Sequence, residues 1–315
     1  MQNPAIGKEA LESVPQSAAG GLQRPASTRV KAESLFVQTL QRLSRSKTAM
    51  FGLAIVTLLL LVALLANVLA PYSPTRNAPR DAFHRPSSDH PLGSDQFGRD
   101  MLSRIIHGSR ISLAVGLSSV ILAIFIGVPL GIISGYYGGR VDGLVMRAME
   151  LILAFPVFLL AIILMVMFMP TAGIVGTMKV VSAIAIVRIP IFARLVRGSV
   201  LSIKEKEYVE ACRAVGQNDP KILFRHILPN CMAPIIVTAT LGIATAIIVE
   251  ASLSFLGLGT QPPTPSWGWD LKANVAWIQT NPWLSLGPGL AIFITVLGFN
   301  LFGDGLRDAL DPRLK

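Results

Sequence analysis

The chain has 315 residues, 52% of them hydrophobic and only 15% charged, with a mean hydropathy of +0.57 and a net charge of +10. An ordinary soluble domain is about 25% charged, so this composition excludes a water-soluble globule and makes lipid the main solvent. The positive charge gathers beside hydrophobic segments rather than among aromatics, which points to membrane topology and away from nucleic acid.

Residues 1–34 are rich in Ala, Ser, Pro, Gln and Gly, lack apolar periodicity, and read as a disordered cytoplasmic tail. They have no short apolar core of a secretory signal, so no cleavage is expected. LFVQTLQRLSRSKT (35–48) reads as a basic amphipathic helix leading into a first span near 49–70. A long loop, 71–110, follows. Its histidines, His84, His90 and His107, match no metal-ligand spacing, so no metal site is expected. The loop reads instead as a cap built from His90, Gly93, Asp95, Gly98, Arg99, Asp100 and Arg104, held by Asp–Arg pairs and turn glycines.

Further spans are expected near 111–135, 144–168, 178–199, 232–256 and 286–304. The count is six, or five if the fourth is re-entrant. The methionine-rich LMVMFM (164–169) suits a lipid-facing or packing surface. In the fourth span Arg188 lies nine residues after Lys179 and six before Arg194, near mid-membrane, with Pro190 expected to disturb the helix. A charge at that depth points to function. Two readings stay open: Arg188 faces a translocation path and attracts a substrate carboxylate, or it snorkels or pairs with Glu250. Glu150 and Glu250 lie at or inside span ends and suit interhelical hydrogen bonding. Glu250, followed by the small residues of EASLS, is also kept with Arg188 as a path candidate.

EKEYVEACRAVGQNDPKILFRHILPN (205–230) is a polar helical hairpin between two spans. Ser202 with Glu205 has the pattern of a capping box. Tyr208, Ala211, Cys212 and Val215 follow a helical stripe. Gly216 sits where a C-terminal cap belongs, Asn218 or Asp219 can cap a second helix at Pro220, and Pro229 ends or kinks it. Basic residues crowd the start of the first span, this hairpin and the C-terminus (Arg307, Arg313, Lys315), which puts all three on the cytoplasmic face and the termini inside. Cys212 and Cys231 then lie in a reducing compartment, where no disulfide is expected. The chain contains no GxxxxGK[ST] phosphate loop, HExxH or GxSxG, so nothing in it suggests ATP binding or hydrolase chemistry.

Glu210-Ala211-Cys212, Gly216 and Leu228-Pro229 resemble the EAA signature of ABC-importer permeases, with Cys212 in place of the second alanine. HPLGSDQFGRDMLSRIIHGSRISL (90–113) resembles a second signature, of the C-type subunits of dipeptide, oligopeptide and nickel permeases. The likeness continues through YYGGRVDGLVMR, EASLSFLGLG, PSWGWDL and GDGLRDALDPRLK. It implies an all-α polytopic bundle of about six transmembrane helices: a lead-in, first span and external loop over 35–110, then a permease core over 111–315 with its coupling hairpin at 202–229. It implies a multi-pass subunit of a bacterial inner-membrane, binding-protein-dependent importer of di- or oligopeptides, with nickel or another small solute as the alternative. Implied partners are a second related permease subunit, two cytoplasmic ATPase subunits that hold ATP and Mg, and an extracytoplasmic substrate-binding protein that meets the cap. No cofactor or catalytic residue is expected in this chain. Glu205, Tyr208, Glu210, Ala211, Cys212, Arg213, Gly216, Leu228 and Pro229 are the implied ATPase-coupling residues. The rivals are an ion-coupled secondary transporter, for which no internal repeat is seen, and a membrane enzyme, which has no catalytic constellation.

Overall fold

The computed structural model describes residues 41–310. The tail at 1–34, the start of the amphipathic lead-in, and the C-terminal Arg313 and Lys315 lie outside the described residues. Among the described residues the chain is helical with two isolated β-bridges and no strand, as the all-α reading expects.

Helix α1 spans Lys47–Leu64, and Ser46 caps it by accepting from the Ala49 amide at 3.3 Å. It ends earlier than the expected 70. The guanidinium of Arg110 reaches over from the next long helix and donates to the Ala63 and Leu64 carbonyls at 2.5 and 3.0 Å. A cation there satisfies carbonyls that have no partner inside the helix. A short helix α2, Ala66–Leu69, completes the segment.

Helix α3, Met101–Tyr137, is 37 residues long and begins ten residues before the expected second span. Asp100 starts it by accepting from the Ser103 amide at 2.8 Å. At 1.5 Å per residue the helix is about 55 Å long, so it projects well past the hydrocarbon layer.

The expected third span is two helices. Helices α4, Gly139–Leu153, and α5, Val157–Phe168, meet at an 89° bend. Pro156 sits at the break, where it removes a donor and pushes Phe155 out of the helical region. The sequence allowed an irregular fourth segment as an alternative; the break falls in the third instead. The fourth is one continuous helix, α6, Gly173–Lys204, which runs through Pro190 unbroken. Two short helices, α7 (Glu207–Ala214) and α8 (Asp219–Ile222), lead through a π-helical turn, Leu223–Ile227, into α9, Leu228–Phe255. Helix α10, Trp267–Asn274, lies in the last loop, and α11, Trp283–Leu310, closes the bundle.

The most extensive helix contact is α3 on α6, followed by α1 on α11 and α9 on α11. In lipid there is little hydrophobic force between helices, so close backbone approach matters. Gly127, Gly131 and Gly135 recur every fourth residue on the α3 face that meets α6. A Cβ on Gly131 would fall 2.5 Å from the Ala193 carbonyl oxygen. The central core joins Val115, Val120 and Ala123 of α3 to Ile184, Val187 and Phe192 of α6.

Gly131→Val should overpack this seam and cost about 1–3 kcal/mol. The expected result is earlier unfolding in detergent, with Gly143→Val, where a side chain meets open space, as the unaffected control.

Candidate functional site

The two ends of α3 each carry a structured polar assembly. At its N-terminal end the 71–110 segment folds into a compact cap. Asp95 accepts from the Phe97 and Arg99 amides at 2.9 and 3.0 Å and from Arg99 Nε at 2.6 Å. Gly98 turns with φ +71°, and a Cβ there would collide with the Ala78 carbonyl; Gly93 has φ +72°. Asp100 does three jobs. Its Oδ2 accepts from the Ser103 amide and from Ser103 Oγ at 2.7 Å, while Oδ1 lies 3.0 Å from His90 Nδ1. Asp100 therefore pairs with a histidine; of the Asp–Arg pairs expected within the cap Asp95–Arg99 forms, while Arg104 leaves the loop and pairs with Asp270. Among the described residues no cluster is arranged to hold a metal ion.

Arg104 and Asp270 are both 1% exposed. Arg104 Nε donates to Asp270 Oδ1 at 2.8 Å, Nη2 donates to the same oxygen, and Nη1 donates to the Pro74 carbonyl at 3.0 Å. The pair joins α3 to α10, helped by Trp267 Nε1 donating to the Ile105 carbonyl at 3.0 Å. Burial pushes the Asp270 carboxyl above the usual carboxylate range, against the pull of Arg104. Sequence reasoning missed Asp270. Its signal is a lone acid in an apolar, tryptophan-rich segment, which needs a cation, but six arginines in the other loop gave no means of choosing one.

At the opposite end of α3 lies the hairpin. Helix α7 ends in a Schellman turn: Gln217 N–H donates to the Cys212 carbonyl at 3.0 Å and Gly216 N–H to the Arg213 carbonyl at 2.9 Å. Gly216 has φ +75° with open space around it, so backbone conformation alone demands glycine. The capping box is not formed. Ser202 and Lys204 are still within α6, because Val200 and Ile203 continue its buried stripe, and Lys206 precedes α7 without a side-chain cap. The predicted stripe divides. Cys212 packs inward beside buried Val209, whereas Tyr208, Ala211 and Val215 are exposed, Val215 at 82%. Glu205, Glu210 and Arg213 are exposed too. Pro229 is exposed and Leu228 half-buried. Pro229 does not end the helix; the preceding π turn, with Leu228 N–H bonded to the Leu223 carbonyl, makes room for its ring. Cys212 Sγ lies 3.7 Å from His226 Nε2, and both cysteines are free.

Tyr136, which the sequence reading did not single out, fastens the hairpin to α3. Its hydroxyl donates to Asp219 Oδ1 at 2.6 Å, and the Arg213 guanidinium stands 5.2 Å from its ring centre. Lys204 Nζ donates to the Gly135 carbonyl at 3.0 Å. Arg197 holds both carboxylate oxygens of Asp142 at 2.6 Å.

Between the two ends, the path candidates separate. Glu250 is wholly enclosed between α3 and α9, accepting from Ser112 at 3.1 Å and Ser254 at 2.8 Å. It is an interhelical fastener rather than a path-lining group. It makes no ion pair with Arg188, which donates instead to Thr245 Oγ1 at 2.8 Å.

Residues 127–315 match the profile of the binding-protein-dependent transport system inner membrane components, and residues 34–86 match the N-terminal TM domain of oligopeptide transport permease C. The chain belongs to this permease family. Its relatives include the dipeptide transport system permease protein DppC of Alkalihalophilus pseudofirmus, 45% identical, with 92% of this chain and 94% of the relative covered. The glutathione transport system permease protein GsiD of Pectobacterium atrosepticum is 46% identical, over 87% and 90%. The di/tripeptide transport system permease protein DppC of Pseudomonas aeruginosa is 43% identical, over 87% and 91%. Among solved structures, a chain of the inward-facing MetNI methionine ABC transporter matches with TM-score 0.55 at 19% identity, covering 67% of this permease and 98% of that chain. That likeness is one of fold.

Arg104→Ala in the permease leaves Asp270 buried without its cation and should cost about 3–5 kcal/mol, whereas Arg104→Met with Asp270→Leu should recover most of the loss. Without Arg104 the folded state holds a proton that the unfolded state has shed. The deficit should therefore be smallest below about pH 4 and grow as pH rises, which thermal unfolding in detergent across pH would measure.

Proposed function

We propose that this permease is the transmembrane subunit of an ATP-driven importer of short peptides, with the hairpin facing cytoplasmic ATPase subunits and the cap facing a substrate-binding protein. The observation that carries the reading is the hairpin itself. It projects exposed apolar groups, Tyr208, Val215 and Phe224, from a polar elbow at the end of the spans. Such groups in water favour a protein partner. Glu205, Glu210 and Arg213 rim them and suit a polar border of that contact. The relatives' names, dipeptide, di/tripeptide and glutathione, support a small peptidic cargo.

The mechanism follows from the attachments. The elbow joins the C-terminal end of α6 to the start of α9 and is pinned to α3 by Tyr136. A push from closing ATPase subunits is thereby applied to three stiff helices at once, which tilt and switch the path between faces. A second, related permease subunit supplies the other wall. ATP and Mg stay with the ATPases.

The test is uptake in proteoliposomes holding this chain with its partner permease, ATPases and binding protein. Labelled di- and tripeptides, glutathione and nickel are offered with and without ATP. ATP-dependent peptide accumulation is expected; accumulation driven by an ion gradient alone would replace the reading with a secondary carrier, and nickel-only uptake would replace the cargo.

Gly216→Val forces a branched side chain to φ +75° at about 1–2 kcal/mol, whereas asparagine tolerates that conformation. Gly216→Val should therefore hydrolyse ATP with little uptake, and Gly216→Asn should keep both. Tyr136→Phe should lower binding-protein-stimulated ATPase several-fold while basal hydrolysis stays, measured on the reconstituted complex.

A further inference from the structure

A polar stripe runs along the open side of α9. Thr238, Thr245 and Ser252 recur every seven residues, two helical turns, and so share one face. Thr245 is exposed, and Thr238 and Ser252 are partly so. Grooves flank the stripe towards either membrane face. One is lined by Leu195, Val237, Thr238, Leu241 and Arg307, the other by Phe158, Ile248, Ser252, Phe255 and Ile292. Thr245 and Ser252 donate to the Gly242 and Ile248 carbonyls of their own helix at 3.0 and 2.8 Å, which leaves each hydroxyl oxygen able to accept from outside it.

Arg188 reaches this stripe from α6. It lies 15 residues from the start of that helix and 16 from its end, so about 23 Å of helix extends on either side of it. The side chain is only 8% exposed. Its guanidinium rests against bare α9 backbone at Gly242, where a Cβ would come within 2.7 Å of Nη2. One nitrogen donates to Thr245 Oγ1, and Nε is buried with no partner. Glu250 is engaged with Ser112 and Ser254 and Asp142 with Arg197, Glu150 meets Arg147 of its own helix at 3.5 Å, and Asp304 and Asp308 lie exposed in the last two turns of α11. A guanidinium carries five donors in a fork that matches a carboxylate. Here the fork is held at mid-depth, desolvated and without a counter-ion among the described residues. A buried charge left in that state costs stability, and a ligand that supplies the missing anion recovers it.

We propose that Arg188, with Thr245, forms a carboxylate-binding subsite at the middle of the translocation path, so that the permease favours cargo with a free C-terminal carboxylate. This rests on the peptide-importer reading. The subsite lowers the barrier to carrying an anion through an apolar passage. Its single hydroxyl partner leaves the grip weak enough for release, as conduction requires.

The experiment compares one tripeptide with its C-terminal amide in proteoliposomes of the full transporter, at concentrations that load the binding protein equally. Wild type should take up the acid about tenfold faster than the amide, the worth of one charge-assisted hydrogen bond. Arg188→Gln should reduce the acid to the rate of the amide and leave the amide unchanged, and Arg188→Lys should retain part of the preference. Equal loss of both peptides in Arg188→Gln would overturn the subsite and assign Arg188 to a fixed contact, such as an acid of the second permease subunit. Wild-type uptake indifferent to the C-terminus overturns the subsite whatever the variants do, while leaving the importer reading intact. No ATP-dependent uptake of either peptide overturns that reading and the subsite with it.

Discussion

One helix that is too long for the bilayer organises this permease. Helix α3 runs unbroken for 37 residues, and both of its ends stand in water-accessible structure. Inside the hydrocarbon its backbone is satisfied by its own hydrogen bonds, as lipid demands, except at Pro129, which has no N–H to give the Phe125 carbonyl. Beyond it, each end is fixed by a side chain that reaches another element: Arg104 to Asp270 at one end, Tyr136 to Asp219 at the other. The cap and the hairpin are therefore attached to the same stiff rod.

The rod is held in the bundle by contact rather than by hydrophobic force. Gly127, Gly131 and Gly135 let its backbone lie against α6. The same device recurs between α1 and α11, where Gly52, Gly298 and Gly305 each face a neighbour at a distance no Cβ would allow. Tight seams of this kind make helices move as bodies and resist bending. A sharp bend comes at Pro156, where α4 and α5 turn through 89°.

Polar groups within the span fall into two kinds. Glu250 is enclosed and supplied with two hydroxyl donors, so it fastens α3 to α9. Arg188 has one hydroxyl and an unpartnered Nε at the edge of an open stripe. Each is a charge inside an apolar run, and the sequence favoured interhelical bonding for Glu250 while leaving Arg188 open. Which helix face each occupies, and what lies opposite, separates them.

Much was legible without coordinates, because it depends on neighbours along the chain. Hydrophobic length defined the spans, Gly216 marked its turn, Asp95 and Arg99 were four residues apart, and the two signatures pointed to the family. What the tertiary structure alone decided involves partners far apart in sequence. Arg104 and Asp270 are separated by 166 residues and Tyr136 and Asp219 by 83, and no local pattern links them. The start of α3 was misplaced because hydropathy reports the part of a helix in lipid, whereas its polar first turns are stabilised by the cap that folds around them. The inward face of α7 was set one residue off the expected stripe, at Val209, because an eight-residue helix is oriented by the core beneath it rather than by its own periodicity.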